Sequence, residues 1–97
     1  MLEKIRKDEF TKILLKALKE DNPDVSVTLG DLNWILDMCT REILKLIYNS
    51  DDRISFAVGL LRFRSRLKKR GMRRNIRVFA GGRLGKRLER ELLVKKQ

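Results

Sequence analysis

The side chains of this 97-residue chain that could do chemistry are mostly cationic. The sequence holds 24 Lys or Arg against 13 Asp or Glu, with one cysteine and no histidine. Without histidine, proton transfer or nucleophilic attack would fall to carboxylates, lysines or Cys39, and the carboxylates show no paired pattern. A metal site is not expected, because zinc sites draw mainly on Cys and His. We therefore predict a binding protein and not an enzyme, with no catalytic residues, no metal, no cofactor and no small-molecule substrate.

The positive charge is concentrated in the second part of the sequence. Residues 1–61 hold nine Lys or Arg and eleven Asp or Glu, a balance of −2, whereas residues 62–97 hold fifteen and two, a balance of +13. The net charge of +11 makes a polyanion the first partner to consider and an anionic membrane surface the second. The basic part is thus predicted to carry the binding function.

The stretch LRFRSRLK, residues 61–68, alternates basic and less polar residues. Alternation with a period of two is typical of a strand with two different faces. Leu61, Phe63, Ser65 and Leu67 share one predicted face, and the other carries Arg62, Arg64, Arg66 and Lys68. Charges also protect exposed strand edges from aggregation, so a solvated edge is the plain alternative. No acid occurs between Leu61 and Leu88, and aligned like charges repel, which favours contact with nucleic acid over a membrane or an acidic protein surface.

Further cations follow along the chain. Gly71 marks the tip of a predicted hairpin and Gly82 precedes a predicted basic helix, whose N–H groups could meet a phosphate. The remaining candidate DNA-binding residues are Lys69, Arg70, Arg73, Arg74, Arg77, Arg83, Lys86 and Arg87, with Arg90 on the same helix.

The periodicity of the sequence predicts an α+β fold. The predicted elements are helices over residues 8–20 and 29–48, strands over 53–58, 61–68 and 76–79, and a helix over 83–94. Asp8 is a plausible N-cap, and Thr28 with Asp31 is a variant of the capping box. Gly59 predicts a tight turn or a bulge between the first two strands.

The second helix is apolar on more than one side, so it needs more than one packing neighbour. Trp34, Met38 and Leu44 lie outside its main stripe. A chain this short builds a thin core, and a second copy would cover the excess. The stripe predicted at a homodimer interface comprises Leu32, Ile35, Leu36, Cys39, Ile43, Leu46 and Ile47.

From about Lys7 to Leu92 the chain resembles the HU/IHF family of bacterial histone-like DNA-binding proteins. VGLLRF, residues 58–63, is similar to the family's corner between its first two strands, with Gly59 and Phe63 on matching positions. VFAGGRLGKRL, residues 78–88, is similar to its closing segment, with matches at Phe79, Gly82, Arg83 and Lys86. The chain departs from the pattern at Leu60 and Leu61, at Gly81 in place of a proline, and in a short arm without the family's intercalating proline. Met72 stands near the position of that proline; it is interpreted as an exposed residue, with a substitute wedge between base pairs as the alternative.

The resemblance implies an intertwined homodimer that sits as a saddle on double-stranded DNA. It implies one domain over residues 1–97: a helical dimerisation part (1–50), a sheet with a short arm (51–80), and a basic helix with its tail (81–97). Phe56, Phe63 and Phe79 would lie in the dimer core. Phe63 and Phe79 could also stack on bases, but a place opposite the arginine face is expected for them.

The resemblance implies a cytoplasmic, nucleoid-associated architectural protein, with a viral or organellar origin left open. No signal peptide or transmembrane span is expected, because charged residues stand near the start and no long apolar run follows. Two other functions stay open. One is a module of this fold docked in a nucleoprotein or viral assembly, and the other is a basic RNA-binding protein.

Overall fold

A computed structural model of the chain describes residues 3–68 and 73–96. Its elements are the helices α1 (Lys7–Asp21) and α2 (Leu29–Asn49), the strands β1 (Arg53–Val58), β2 (Leu61–Leu67) and β3 (Arg74–Ala80), and the helix α3 (Gly82–Lys96). The predicted order and the α+β class are confirmed, and β3 begins two residues earlier than predicted.

The chain divides into two compact units, Met1–Leu44 and Lys45–Gln97, with the boundary inside α2. The first holds α1 and most of α2, and the second holds the end of α2, the sheet and α3. The single HU/IHF-like domain over residues 1–97 stays a prediction.

In the first unit, α1 and α2 form an antiparallel pair joined by polar contacts. Lys7 Nζ lies 2.5 Å from Asp37 Oδ1. One turn further along α1, the buried Thr11 hydroxyl oxygen lies 2.8 Å from the Lys7 carbonyl oxygen and 2.9 Å from Asn33 Oδ1. Because a buried polar group costs free energy unless it is hydrogen-bonded, this pairing fixes which faces of the two helices meet.

Of the two predicted N-terminal caps, the one on α2 is confirmed and the one on α1 is wrong. Thr28 Oγ1 accepts from the Asp31 N–H at 3.1 Å, and Asp31 Oδ2 accepts from the Thr28 N–H at 3.1 Å, so the predicted capping box is confirmed. Asp8 is not the N-cap of α1. Arg6 holds that position without a side-chain hydrogen bond, and Asp8 lies in the first turn, where a carboxylate opposes the positive end of the helix dipole.

The second unit is built on an antiparallel sheet in the order β1-β2-β3. Val58 pairs with Leu61, which leaves a two-residue turn at Gly59 and Leu60. Gly59 has φ 58, as the first central residue of a type II′ hairpin turn requires. The predicted tight turn is confirmed, and it sets the register that decides which side chains share a face.

The chain encloses few apolar side chains of its own. Among the described hydrophobic residues only Leu32 (5% exposed) and Ile47 (1%) are buried, so these two members of the predicted dimer interface leave little surface for a partner. The other predicted interface residues are exposed at Ile35, Cys39 and Leu46, and half-buried at Leu36, Ile43, Phe56, Phe63 and Phe79. Trp34 is 67% exposed. Large uncovered apolar surface on a small chain is typical of a subunit.

Candidate nucleic-acid interface

One face of the sheet carries a cluster of arginines, called here the basic face. Directly paired residues of antiparallel strands point to the same side, so the register defines this face. In β1–β2 Arg53 faces Arg66, in β2–β3 Arg64 faces Arg77, and Arg62 faces Phe79. The prediction that Arg62, Arg64 and Arg66 share a face is confirmed. Arg53 joins them through its pairing with Arg66, which the sequence pattern alone does not predict.

The basic face has like charges directly opposite one another. Side chains of paired residues start only about 4.5–5.5 Å apart, and like charges in that position destabilise a sheet. Arg53 with Arg66 and Arg64 with Arg77 are two such pairs. No acidic side chain is among the described residues with which these four pair across the strands. A bound polyanion would remove this repulsion.

The basic face continues into α3 through a groove. The groove has a volume of about 760 Å³ and brings together a strand, a glycine pair and the first turns of the helix. This groove is called here the basic groove. It is lined by Arg62, Arg64, Phe79, Gly81, Gly82, Arg83, Lys86, Arg87 and Arg90. Of these nine described residues six are cationic and none is acidic. The structure thus brings together candidates that lie up to 28 positions apart in the sequence.

Two close backbone approaches hold α3 against the sheet. The Gly81 N–H donates to the Leu60 carbonyl at 3.0 Å. At Gly85 an added Cβ would lie only 2.4 Å from the same carbonyl oxygen, so only glycine fits at this approach. The β1–β2 turn and the start of α3 are therefore in direct backbone contact, which sets the distance between the cations of the helix and those of the sheet.

Inside the groove two arginines have defined partners. Arg62 Nη1 donates to Ser55 Oγ at 3.1 Å, across the β1–β2 pair. The Arg64 guanidinium carbon lies 5.2 Å from the centroid of the Phe79 ring, a cation–π distance. On α3, Arg87 Nε lies 3.5 Å from Glu91 Oε1, and an exposed ion pair of this kind contributes little to the stability of the fold.

Phe79 lies on a different face of the sheet from the one predicted. The predicted place opposite the arginines is wrong, because Phe79 pairs with Arg62 on the basic face and lines the basic groove. Its part in a dimer interface stays a prediction. The signal was present in the sequence. Phe79 stands two residues after Arg77, so the two must share a face, and Arg77 is among the predicted DNA-binding residues. Phe63 does lie on the opposite face, with its ring stacked on that of Phe56 at 5.4 Å.

Arg74 has a different surrounding from the other candidate cations. It pairs with Leu67, on the face of the sheet that carries Phe63. Its guanidinium donates to the Asp52 carbonyl at 2.9 Å and to the Ser50 carbonyl. Arg74 is half-buried and ties the start of β3 to the segment before β1. The structure thus gives Arg74 a structural role, and its predicted contact with DNA stays a prediction.

The tip of the hairpin is described only in part. Lys69, Arg70, Gly71 and Met72 lie outside the described residues. The ladder continues to the residues next to them, because the Lys68 N–H donates to the Arg73 carbonyl at 3.1 Å. Lys68 and Arg73 are both exposed.

Comparisons of this chain with protein-family models, with curated proteins and with solved structures found no match. Within residues 3–68 and 73–96, no helix combines the length and the apolar character that crossing a membrane requires. The same residues contain no group of three or more His, Cys, Asp or Glu side chains placed to hold a metal ion.

Proposed function

We propose that the protein binds double-stranded DNA through phosphate contacts, as a homodimer of the HU/IHF type, and shapes or compacts it. The observation that carries the proposal is the basic groove. Six cations from one strand and one helix line a single concave surface without an acidic residue. Guanidinium groups favour phosphate, because their fork of donors matches its oxygens.

Contacts of this kind position a protein on DNA without reading the bases. Among the described groove cations all but Arg62 are exposed, and four of the six lie on α3. We therefore expect similar affinity for unrelated duplex sequences. Because no proline follows Pro23, we also expect weaker bending than the HU/IHF pattern implies, and the bend angle measured by energy transfer between labelled ends tests this.

The homodimer is supported by the small number of buried apolar residues. The exposed side chains of α2 and α3 include Trp34, Ile35, Leu46, Leu84 and Leu92. Burying apolar surface is the main driving force of association, and a second copy of the chain offers a matching surface. Light scattering is expected to give twice the mass of the chain, and a stable monomer at all concentrations would contradict this part of the proposal.

The decisive experiment measures binding to duplex DNA across a salt series, with duplex RNA of the same length as a comparison. Arg64→Glu combined with Arg66→Glu is expected to abolish measurable duplex binding at moderate salt. Because each new glutamate would face an arginine, Arg77 or Arg53, the cross-strand repulsion is relieved and the fold is expected to remain intact.

The matched control is Lys12→Glu with Lys16→Glu. It makes the same change in net charge on α1, and neither residue lines the basic groove. Equal loss of binding in both double variants would show that overall charge, and not this surface, governs affinity. Unchanged binding in the Arg64 and Arg66 variant would contradict the proposal, and preferential binding of duplex RNA would favour the RNA-binding alternative.

A further inference from the structure

We infer that Phe79 and Arg64 form a binding site for an unpaired nucleobase, so that the basic groove also holds single-stranded nucleic acid. The inference rests on the proposed nucleic-acid binding by this groove and names a second ligand for it. The observation behind it is an aromatic ring on the cationic face of the sheet.

The position of the Phe79 ring is unusual for a packing residue. It is half-buried, lines the basic groove and lies beside Arg62 and Arg64, whereas the stacked pair Phe56 and Phe63 occupies the other face of the sheet. The neighbouring arginines cover the ring only in part and leave it half-buried, because their charged ends stay hydrated. A planar ligand that carries negative charge would cover the exposed part of the ring and also pair with the arginines around it.

A nucleotide of an unpaired strand has both properties. Bases stack on aromatic rings and on the planes of guanidinium groups, and this stacking tolerates any base because each has a π-face. The Arg64 guanidinium lies over the Phe79 ring, so both types of plane are present at one place. Arg83 and Lys86 line the same groove and offer charge for the phosphates on either side of the base.

In intact duplex DNA the bases are already stacked on one another, so no base offers a free face on which the Phe79 ring could stack. The site therefore distinguishes a strand with accessible bases from the sugar–phosphate backbone alone. That difference separates it from the phosphate contacts of the proposed function, which need no base.

The test compares a short oligothymidylate with a strand of the same length whose central residues are abasic. Both carry the same phosphates, so the affinity ratio isolates the contribution of the bases. For the wild-type protein we expect a ratio of about tenfold in favour of the base-bearing strand, since stacking of one base on one aromatic side chain has an effect of that size. In Phe79→Leu the ratio is expected to fall close to one, and in Phe79→Tyr it is expected to persist.

A ratio near one for the wild-type protein overturns the inference, and so does a ratio that Phe79→Leu leaves intact. If Phe79→Leu does not fold, a second measurement decides. In a Trp34→Phe background, Phe79→Trp places the only indole at the site, and its emission is expected to change with the base-bearing strand and not with the abasic one. An equal response to both strands overturns the inference.

The two proposals fail separately. Wild-type protein that binds intact duplex with a steep salt dependence but shows no base preference keeps the proposed function and loses the base site. Wild-type protein that prefers the base-bearing strand but does not bind intact duplex keeps the base site and loses the duplex-binding function.

Discussion

Replacing Lys86 and Arg90 together with glutamine is expected to reduce the salt dependence of duplex binding by a defined amount. Both side chains are exposed, lie one turn apart on α3 and line the basic groove. If each of the six groove cations neutralises one phosphate, log K falls with log salt with a slope of about −5.4 per groove. Each lost contact changes the slope by about 0.9, so the double variant is expected near −3.6 per groove.

The affinity follows from the slope. Between roughly 50 and 200 mM salt, each wild-type groove is expected to contribute about a thousandfold loss in affinity and each variant groove about a hundredfold. In a homodimer that engages both grooves, the two contributions multiply. Fluorescence anisotropy of a labelled duplex, titrated at several salt concentrations, measures both slopes. The side chains remain polar and helix-compatible, so a change in folding is not expected.

Lys12→Gln with Lys16→Gln is the matched control, because these lysines also lie one turn apart on a helix but outside the groove lining. Its slope is expected to equal that of the wild-type protein. An unchanged slope in the Lys86 and Arg90 variant would refute the placement of phosphates along α3. Equal changes in both variants would mean that the slope reports net charge alone.

Three further predictions concern stability, measured by urea unfolding followed by circular dichroism. Thr28→Ala removes one half of the capping box and is expected to cost about 1 kcal/mol, with Thr28→Ser close to wild type; an equal loss in both would deny the cap its role. Arg74→Lys is expected to cost about 2 kcal/mol, because one ammonium cannot reproduce the fork that holds two carbonyls; no loss would mean that water replaces these bonds. Gly85→Ala is expected to cost at least about 2 kcal/mol, because its Cβ would meet a backbone oxygen. Gly30→Ala, whose nearest contact would be an ordinary 3.7 Å, is expected to stay within about 0.5 kcal/mol.

Elements governed by local rules were predictable from the sequence. The alternation in residues 61–67 fixes a two-faced strand whatever its neighbours are, and Gly59 between two alternating stretches indicates a tight turn. The reciprocal bonds of Thr28 and Asp31 depend on residues only three apart. The arginines of β2 could therefore be assigned to one surface before any pairing was known.

Features set by the register and by backbone contact were not predictable in the same way. The pairing of Arg53 with Arg66 depends on which residues form the turn, and the groove exists because Gly85 reaches the Leu60 carbonyl. The role of Arg74 depends on carbonyl groups more than 20 positions away. Charge alone placed this arginine with the others, although its spacing of two from Ile76 already indicated the apolar side of the sheet.

The β2–β3 hairpin also determines how this protein can change its length during evolution. Its last described rung joins Lys68 and Arg73, beyond Leu67 and Arg74. An insertion of two residues on each side of the tip adds rungs and leaves every existing side chain on its present face, because the period of a strand is two. A single inserted residue instead needs a bulge to preserve the faces. Hairpins of different length can therefore arise on an unchanged sheet. The length of this hairpin can thus evolve independently of the basic groove.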